Sequence, residues 1–144
     1  MICEAPSDRD DQNTTLWIGT RNGLYELVLT ENFAGTGGVT QKTRLNSRLA
    51  FDYTLTHDFH NPEDSSSIVS DAIEDLLIDR AKVLWIATAD GLNSLDLKTS
   101  KSGGDRRFQR FVSKDGDEHS LISNVCTALY ESVDGALWVG TQEG

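Results

Sequence analysis

Leu16-Trp17-Ile18-Gly19-Thr20-Arg21-Asn22-Gly23-Leu24 begins as a short apolar run and closes on an Asn-Gly pair. The pattern returns as Leu84-Trp85-Ile86-Ala87-Thr88-Ala89-Asp90-Gly91-Leu92, and again as Leu137-Trp138-Val139-Gly140-Thr141-Gln142-Glu143-Gly144. The 144-residue chain has three tryptophans, and all three occupy the second position of this motif. Chance does not produce that coincidence, so the sequence is first of all a repeat array.

Upstream of the motif, Ser67-Ile68-Val69-Ser70-Asp71 matches Ser120-Leu121-Ile122-Ser123-Asn124, and Leu76-Leu77 matches Leu129-Tyr130. Both matches hold the offset of 53 that separates Trp85 from Trp138. Trp17 and Trp85 are 68 apart, and the excess is expected as a longer loop in the Gly- and Thr-rich stretch Asn32 to Asn46. The period is close to the roughly 40 to 50 residues of a β-propeller blade, and it carries strand signals without a helical stripe.

One period reads as four strands, about Ser70 to Ile78, Val83 to Thr88, Leu92 to Lys98 and Arg107 to Val112. Ala89-Asp90-Gly91 and Arg21-Asn22-Gly23 join the second strand to the third, and Asp-Gly and Asn-Gly there predict type I′ hairpin turns. Apolar or small residues on both faces of the tryptophan strand suit a strand sandwiched between neighbouring sheets. The small residue two places after each tryptophan (Gly19, Ala87, Gly140) leaves room for a neighbour, and the tryptophans read as blade packing.

The fold class is therefore all-β: a β-propeller segment of about two and a half four-stranded antiparallel blades, not a closed ring. The organisation read along the chain is a polar N-terminal tail at 1–15 and a partial first blade with a long loop insert at 16–66. A complete second blade and connector follow at 67–119, then the start of a third blade at 120–144. Residues 8 to 15 are too polar to supply a first strand for the first copy, and the third copy stops after its second strand. Such an array is expected to be completed by remaining blades of a parent chain or by oligomerising, because open strand edges and bare blade faces favour association.

Thirteen basic and 23 acidic residues set a net charge of −10, which disfavours phosphate backbones and anionic lipid as partners. The 38% hydrophobic content and two prolines fit a folded domain. Cys126 lies in an alternating apolar run and reads as a small core residue, whereas Cys3 lies in the polar tail. The start has no basic region leading into an apolar stretch, and no run approaches the roughly 18 apolar residues that cross a bilayer.

No catalytic constellation emerges, so neither catalytic nor ligand-contact residues are assigned, and no cofactor or metal is expected. Gly35-Thr36-Gly37-Gly38 lacks the lysine and helix of a phosphate cradle and reads as a loop. His57 and His60 lie in a connector without a third His or Cys nearby, and His119 stands apart. Asp115-Gly116-Asp117-Glu118 lacks the ligand alternation of a calcium loop and reads as a solvated turn.

Leu121-Ile122-Ser123-Asn124-Val125, followed by Glu131-Ser132-Val133-Asp134-Gly135-Ala136-Leu137-Trp138-Val139-Gly140-Thr141, resembles the two-component regulator propeller repeat. Phe108 to Val112 with Asp115 to His119 is similar to that family's blade-to-blade connector, and Thr56-His57-Asp58 with Asn61 to Asp64 resembles it one blade earlier. The second copy departs from the pattern, with Ala87 for Gly and no turn glycine in Asp79-Arg80-Ala81-Lys82. The resemblance implies the extracytoplasmic, periplasmic sensor region of bacterial hybrid histidine kinases or diguanylate cyclases, acting in a phosphorelay. It implies a small-molecule or glycan ligand and no catalysis by this segment. Two other readings are weaker. Ser132 to Trp138 resembles in part the Asp-box turn of sialidase-like glycoside hydrolases, but is one residue short. A WD-type interaction scaffold would need Gly-His and Trp-Asp pairs that are missing.

Overall fold

The computed structural model describes residues 1–5, 13–33, 49–100 and 105–144. It contains β-strands and no helix among them, in three antiparallel sheets. The first sheet comprises β1 (Ile2–Glu4), β2 (Asn13–Thr20), β3 (Gly23–Phe33) and β4 (Leu49–Asp58), in sequential order. The second comprises β5 (Ile73–Ile78), β6 (Val83–Thr88), β7 (Gly91–Asp96) and β8 (Gln109–Phe111), again in order. The third is the hairpin β9 (Cys126–Glu131) and β10 (Leu137–Thr141). These are two four-stranded blades and half of a third, packed side by side and not closed into a ring.

The first blade corrects the expectation that it lacks an innermost strand. Residues 8 to 12 lie outside the described residues, but Ile2-Cys3-Glu4 pairs with β2, Cys3 opposite Trp17. The described residues thus carry ten strands where nine were expected. A short strand nearer the terminus supplies that innermost strand. Cys3, read as part of a polar tail, is half-buried against the core. The expected loop insert lies mostly in 34–48, outside the described residues, as does Gly35 to Gly38. On either side of it, the ladder of β3 with β4 runs from Leu24↔Asp58 to Phe33↔Leu49.

Strand alternation sends successive side chains to opposite faces, and the second blade packs through both. From β6, Leu84 and Ile86 join Trp17 and Leu24 of the first blade in one buried cluster, with Ile73, Leu76 and Phe108. Trp85 and Ala87, from the same strand, face the third blade and pack with Cys126, Leu129 and Leu137. The repeat offset recurs here, because Ile73 packs beside Gly19 as Cys126 packs beside Ala87. A methyl group on Gly19 would lie 2.5 Å from Ile73 Cγ2, so glycine is what lets the second blade approach. The tryptophans follow the same logic: Trp17 is 2% exposed, Trp85 is half-buried, and Trp138, with no blade packed on it, is 65% exposed.

Both β2–β3 and β6–β7 are hairpins, but their turns are not type I′. Asn22 and Asp90 keep negative φ, and the positive values fall on Gly23 (φ 101°) and Gly91 (φ 145°), the first residues of the returning strands. A type I′ turn would need both central residues at positive φ. Thr20 Oγ1 and Thr88 Oγ1 instead tie the turns, each accepting from the amide two residues on and donating to the glycine carbonyl. A side chain on Gly23 would also meet the Asp58 carbonyl at 2.5 Å.

The turn without glycine keeps the shape of the one that has it. Lys82, at the offset of 53 from Gly135, adopts φ 64° against 87° for Gly135. Asp79 accepts from the Val83 amide and from Trp85 Nε1, holding this turn closed.

Candidate functional site

Three constellations concentrate polar chemistry between or beside the blades. The first is an ionic latch. Arg106, just before β8, donates through one terminal nitrogen to Glu26 on β3 and through the other to Asp58 at the end of β4. Its guanidinium sits 5.0 Å above the Trp17 ring, and its side chain is 1% exposed. Burial pushes the Asp58 carboxyl above its ordinary value, and the adjacent Arg106 offsets that only in part. A guanidinium fixed between two carboxylates and over an indole binds blade to blade; it offers no accessible atom to a substrate. The neighbouring Arg107 is exposed.

The second constellation is the connector, built the same way twice. Ser67 Oγ accepts from the Asn61 amide and donates to the Asp64 carbonyl; Ser120 Oγ accepts from the Lys114 amide and donates to the Asp117 carbonyl. The His60 amide donates to Asp71 Oδ1 as the Ser113 amide does to Asn124 Oδ1. Arg110 then clamps the first connector, donating to the Ser67 carbonyl at 2.8 Å and to the Asp64 carbonyl at 2.9 Å. Thr56-His57-Asp58, read as connector, belongs to β4, the fourth strand; the connector begins after it.

The third is a cleft of about 350 Å³ between the second and third blades. Trp85, Leu92 and Phe111 form its apolar wall, with the Trp85 and Phe111 rings 5.8 Å apart, and Arg110, Lys114 and His119 stand on its rim. The equivalent space over Trp17 is occupied by Leu95, Phe108 and Arg106 of the second blade. Over Trp85 the two strands of the third blade supply Leu129 and Leu137. The cleft is therefore blade-interface space between packed sheets.

The histidines are dispersed. The His57 ring stacks on Tyr25 with centroids 4.2 Å apart, and its Nε2 lies 2.7 Å from the Asn22 carbonyl. His60 Nδ1 lies 2.8 Å from the Ile68 carbonyl, and His119 is on the cleft rim. Among the described residues, no group of three or more His, Cys, Asp or Glu side chains is placed to hold a metal ion. In the acidic loop, Asp117 Oδ1 accepts from the His119 amide. Both cysteines are free; Cys126 is fully buried, and burial pushes its thiol up. In the turn before Trp138, Ser132 Oγ donates to Asp134, whose carboxyl is held below its ordinary value by that hydrogen bond.

Repeated four-stranded sheets, each opposing a tryptophan strand to its neighbour's first strand, define a β-propeller array. Residues 120–143 match the family model for the two component regulator propeller. The matched segment is the end of the second connector with β9 and β10, within the third repeat. No curated protein matches the chain. Among the described residues, no helix is long and apolar enough to cross a membrane.

Proposed function

We propose that this chain is the ligand-sensing portion of a bacterial two-component signal-transduction protein, extracytoplasmic and without catalysis of its own. The observation that carries the reading is the regulator-propeller repeat at 120–143, supported by two further copies of its tryptophan motif at Trp17 and Trp85. The buried polar groups give it indirect support. The Arg106 latch and the serine-pinned connectors hold sheets together, which suits a rigid binding scaffold. The ligand is a small molecule or glycan contacted by loops, and histidine kinase or diguanylate cyclase output resides in another segment of the signalling protein.

A thermal-shift screen against a panel of mono- and oligosaccharides tests this reading, with each hit also assayed for sugar release. A saturable rise in melting temperature without release supports sensing. Turnover of a glycoside would transfer the chain to the hydrolase reading, and a panel without any shift would remove the glycan ligand.

A further inference from the structure

Asn22-Gly23 is the one Asn-Gly pair in the sequence, and Asn22 is exposed in the β2–β3 turn. In such a pair a backbone nitrogen readily attacks the preceding side-chain amide, because glycine places no side chain beside the attacking atom. The other asparagines precede Thr, Phe, Ser, Pro or Val, which crowd that nitrogen or, for proline, leave it without a proton. The fold also keeps residue 23 a glycine. A side chain there would meet the Asp58 carbonyl at 2.5 Å and His57 Nε2 at 2.8 Å, and φ is 101°. Asp90, the equivalent of Asn22, is exposed although blades pack on both faces of its sheet. Exposure at this turn therefore does not require a bare blade face.

Two hydrogen bonds act on the peptide group that joins the pair. The Asn22 carbonyl can only accept, so His57 Nε2, 2.7 Å away, is its donor. The His57 ring lies on Tyr25, parallel to within 2°, and that stack fixes its aim. As the Gly23 N–H proton leaves, negative charge develops on the Asn22 oxygen, and a donor already aimed there stabilises it. His57 thus makes the attacking nitrogen easier to deprotonate. The Gly23 amide itself donates to the Asp71 carbonyl at 2.9 Å, a tie between the first blade and the second that must open first. Such a bond is worth roughly two- to tenfold in an equilibrium constant, so it slows the attack without forbidding it.

We propose that Asn22 is a site of spontaneous deamidation promoted by His57, and that its isoaspartate product severs the tie between the first two blades. The Gly23 nitrogen gives up its proton and bonds to Asn22 Cγ. The Cγ–Nδ2 bond then breaks, and ammonia leaves carrying a proton from solvent in place of the one released. The resulting succinimide is opened by water to aspartate or to isoaspartate, in which the main chain runs through Cβ and Cγ. Nothing is oxidised or reduced. Isoaspartate lengthens the backbone between Thr20 and Gly23. The turn then cannot keep both Thr20 Oγ1 on the Gly23 carbonyl and the Gly23 amide on the Asp71 carbonyl. This inference concerns one turn and does not depend on the sensing reading.

Incubation of the full chain in mildly alkaline buffer, followed by peptide mapping with mass spectrometry, tests it. The wild type is expected to convert at Asn22 ahead of every other asparagine. His57→Phe keeps an aromatic ring on Tyr25 but no donor, and should convert roughly two- to tenfold more slowly. His57→Gln keeps an N–H donor and should recover most of the wild-type rate. In concentrated urea the three chains should convert alike, because the contact is gone. Anion exchange separates the isoaspartate chain, which gains a negative charge and should melt below the unconverted one. Asn22 converting no faster than other asparagines, His57→Phe matching the wild type, or His57→Gln as slow as His57→Phe would each overturn the proposal. So would a difference that persists in urea, or an isoaspartate chain that melts with the unconverted one. If His57→Phe loses the circular dichroism of its strands, His57→Leu takes its place with the same outcomes.

Discussion

Gly19 and Gly140 hold the same place in the motif, yet the structure predicts opposite responses to alanine. A methyl group on Gly19 would sit 2.5 Å from Ile73 Cγ2, 3.1 Å from Ile73 Cβ and 3.3 Å from Leu76 Cδ1. Ordinary carbon contacts are about 3.5–4.0 Å, so β5 would have to retreat by roughly 1 Å. Ile73 and Leu76 are each 6% exposed and packed against the second blade's own core, which leaves them little room. Overpacking of this kind costs about 1–3 kcal/mol, and the gain from replacing a strand glycine, about 0.5–1 kcal/mol, offsets only part. The expected net loss for Gly19→Ala is about 1–2 kcal/mol, or a melting temperature lower by roughly 3–8 °C for a chain of this size. At Gly140 the nearest atom to a new methyl is Ala128 Cβ at 3.4 Å, so Gly140→Ala should be neutral or raise stability by up to about 0.5–1 kcal/mol. Urea and thermal unfolding of dilute protein measure both. Equal effects at the two sites, or an unperturbed Gly19→Ala, would refute the reasoning that Gly19 sets the distance between blades.

Lys82→Gly should be more stable than Lys82→Ala by about 1 kcal/mol in urea titrations, because both lose the side chain but only glycine is relaxed at φ 64°. Arg106→Met leaves the Glu26 and Asp58 carboxylates buried without their cation and should cost about 3–5 kcal/mol in denaturant midpoint analysis; adding Glu26→Gln and Asp58→Asn should restore most of it. Because the folded-state value of Asp58 is raised above 3.8, this group's contribution to stability is lost as pH rises from 3.8 through the raised value. Asp58→Asn should remove that share of the pH dependence from a series of melts. Ser67→Ala should cost about 1–3 kcal/mol and more than Ser120→Ala, since Arg110 also donates to Ser67 Oγ; differential scanning of the two variants measures the gap.

Local and periodic signals made the blades legible. Val83–Thr88 is legible to the residue because a dense apolar run bounded by turn residues has one strand interpretation. The innermost strand of the first blade escaped, since three residues beside a polar stretch carry too little period to register. Asn-Gly and Asp-Gly do not fix the turn type, because they serve any turn with one left-handed position, and the strand register decides where that position falls. Lys82 shows the converse: hydrogen bonds from Asp79 impose the turn on a residue that does not favour it. The Arg106 latch was hidden because Glu26 lies 80 positions away in sequence. One trace of it was available, since Arg106 shares strand parity with buried Phe108 while Arg107 does not.

The most direct test of the sensor account is the reading frame that contains these 144 residues in its native gene. The account predicts a membrane-spanning segment and a histidine kinase or diguanylate cyclase encoded in the same protein. A glycoside hydrolase catalytic domain in that frame, with no kinase or cyclase, would contradict it.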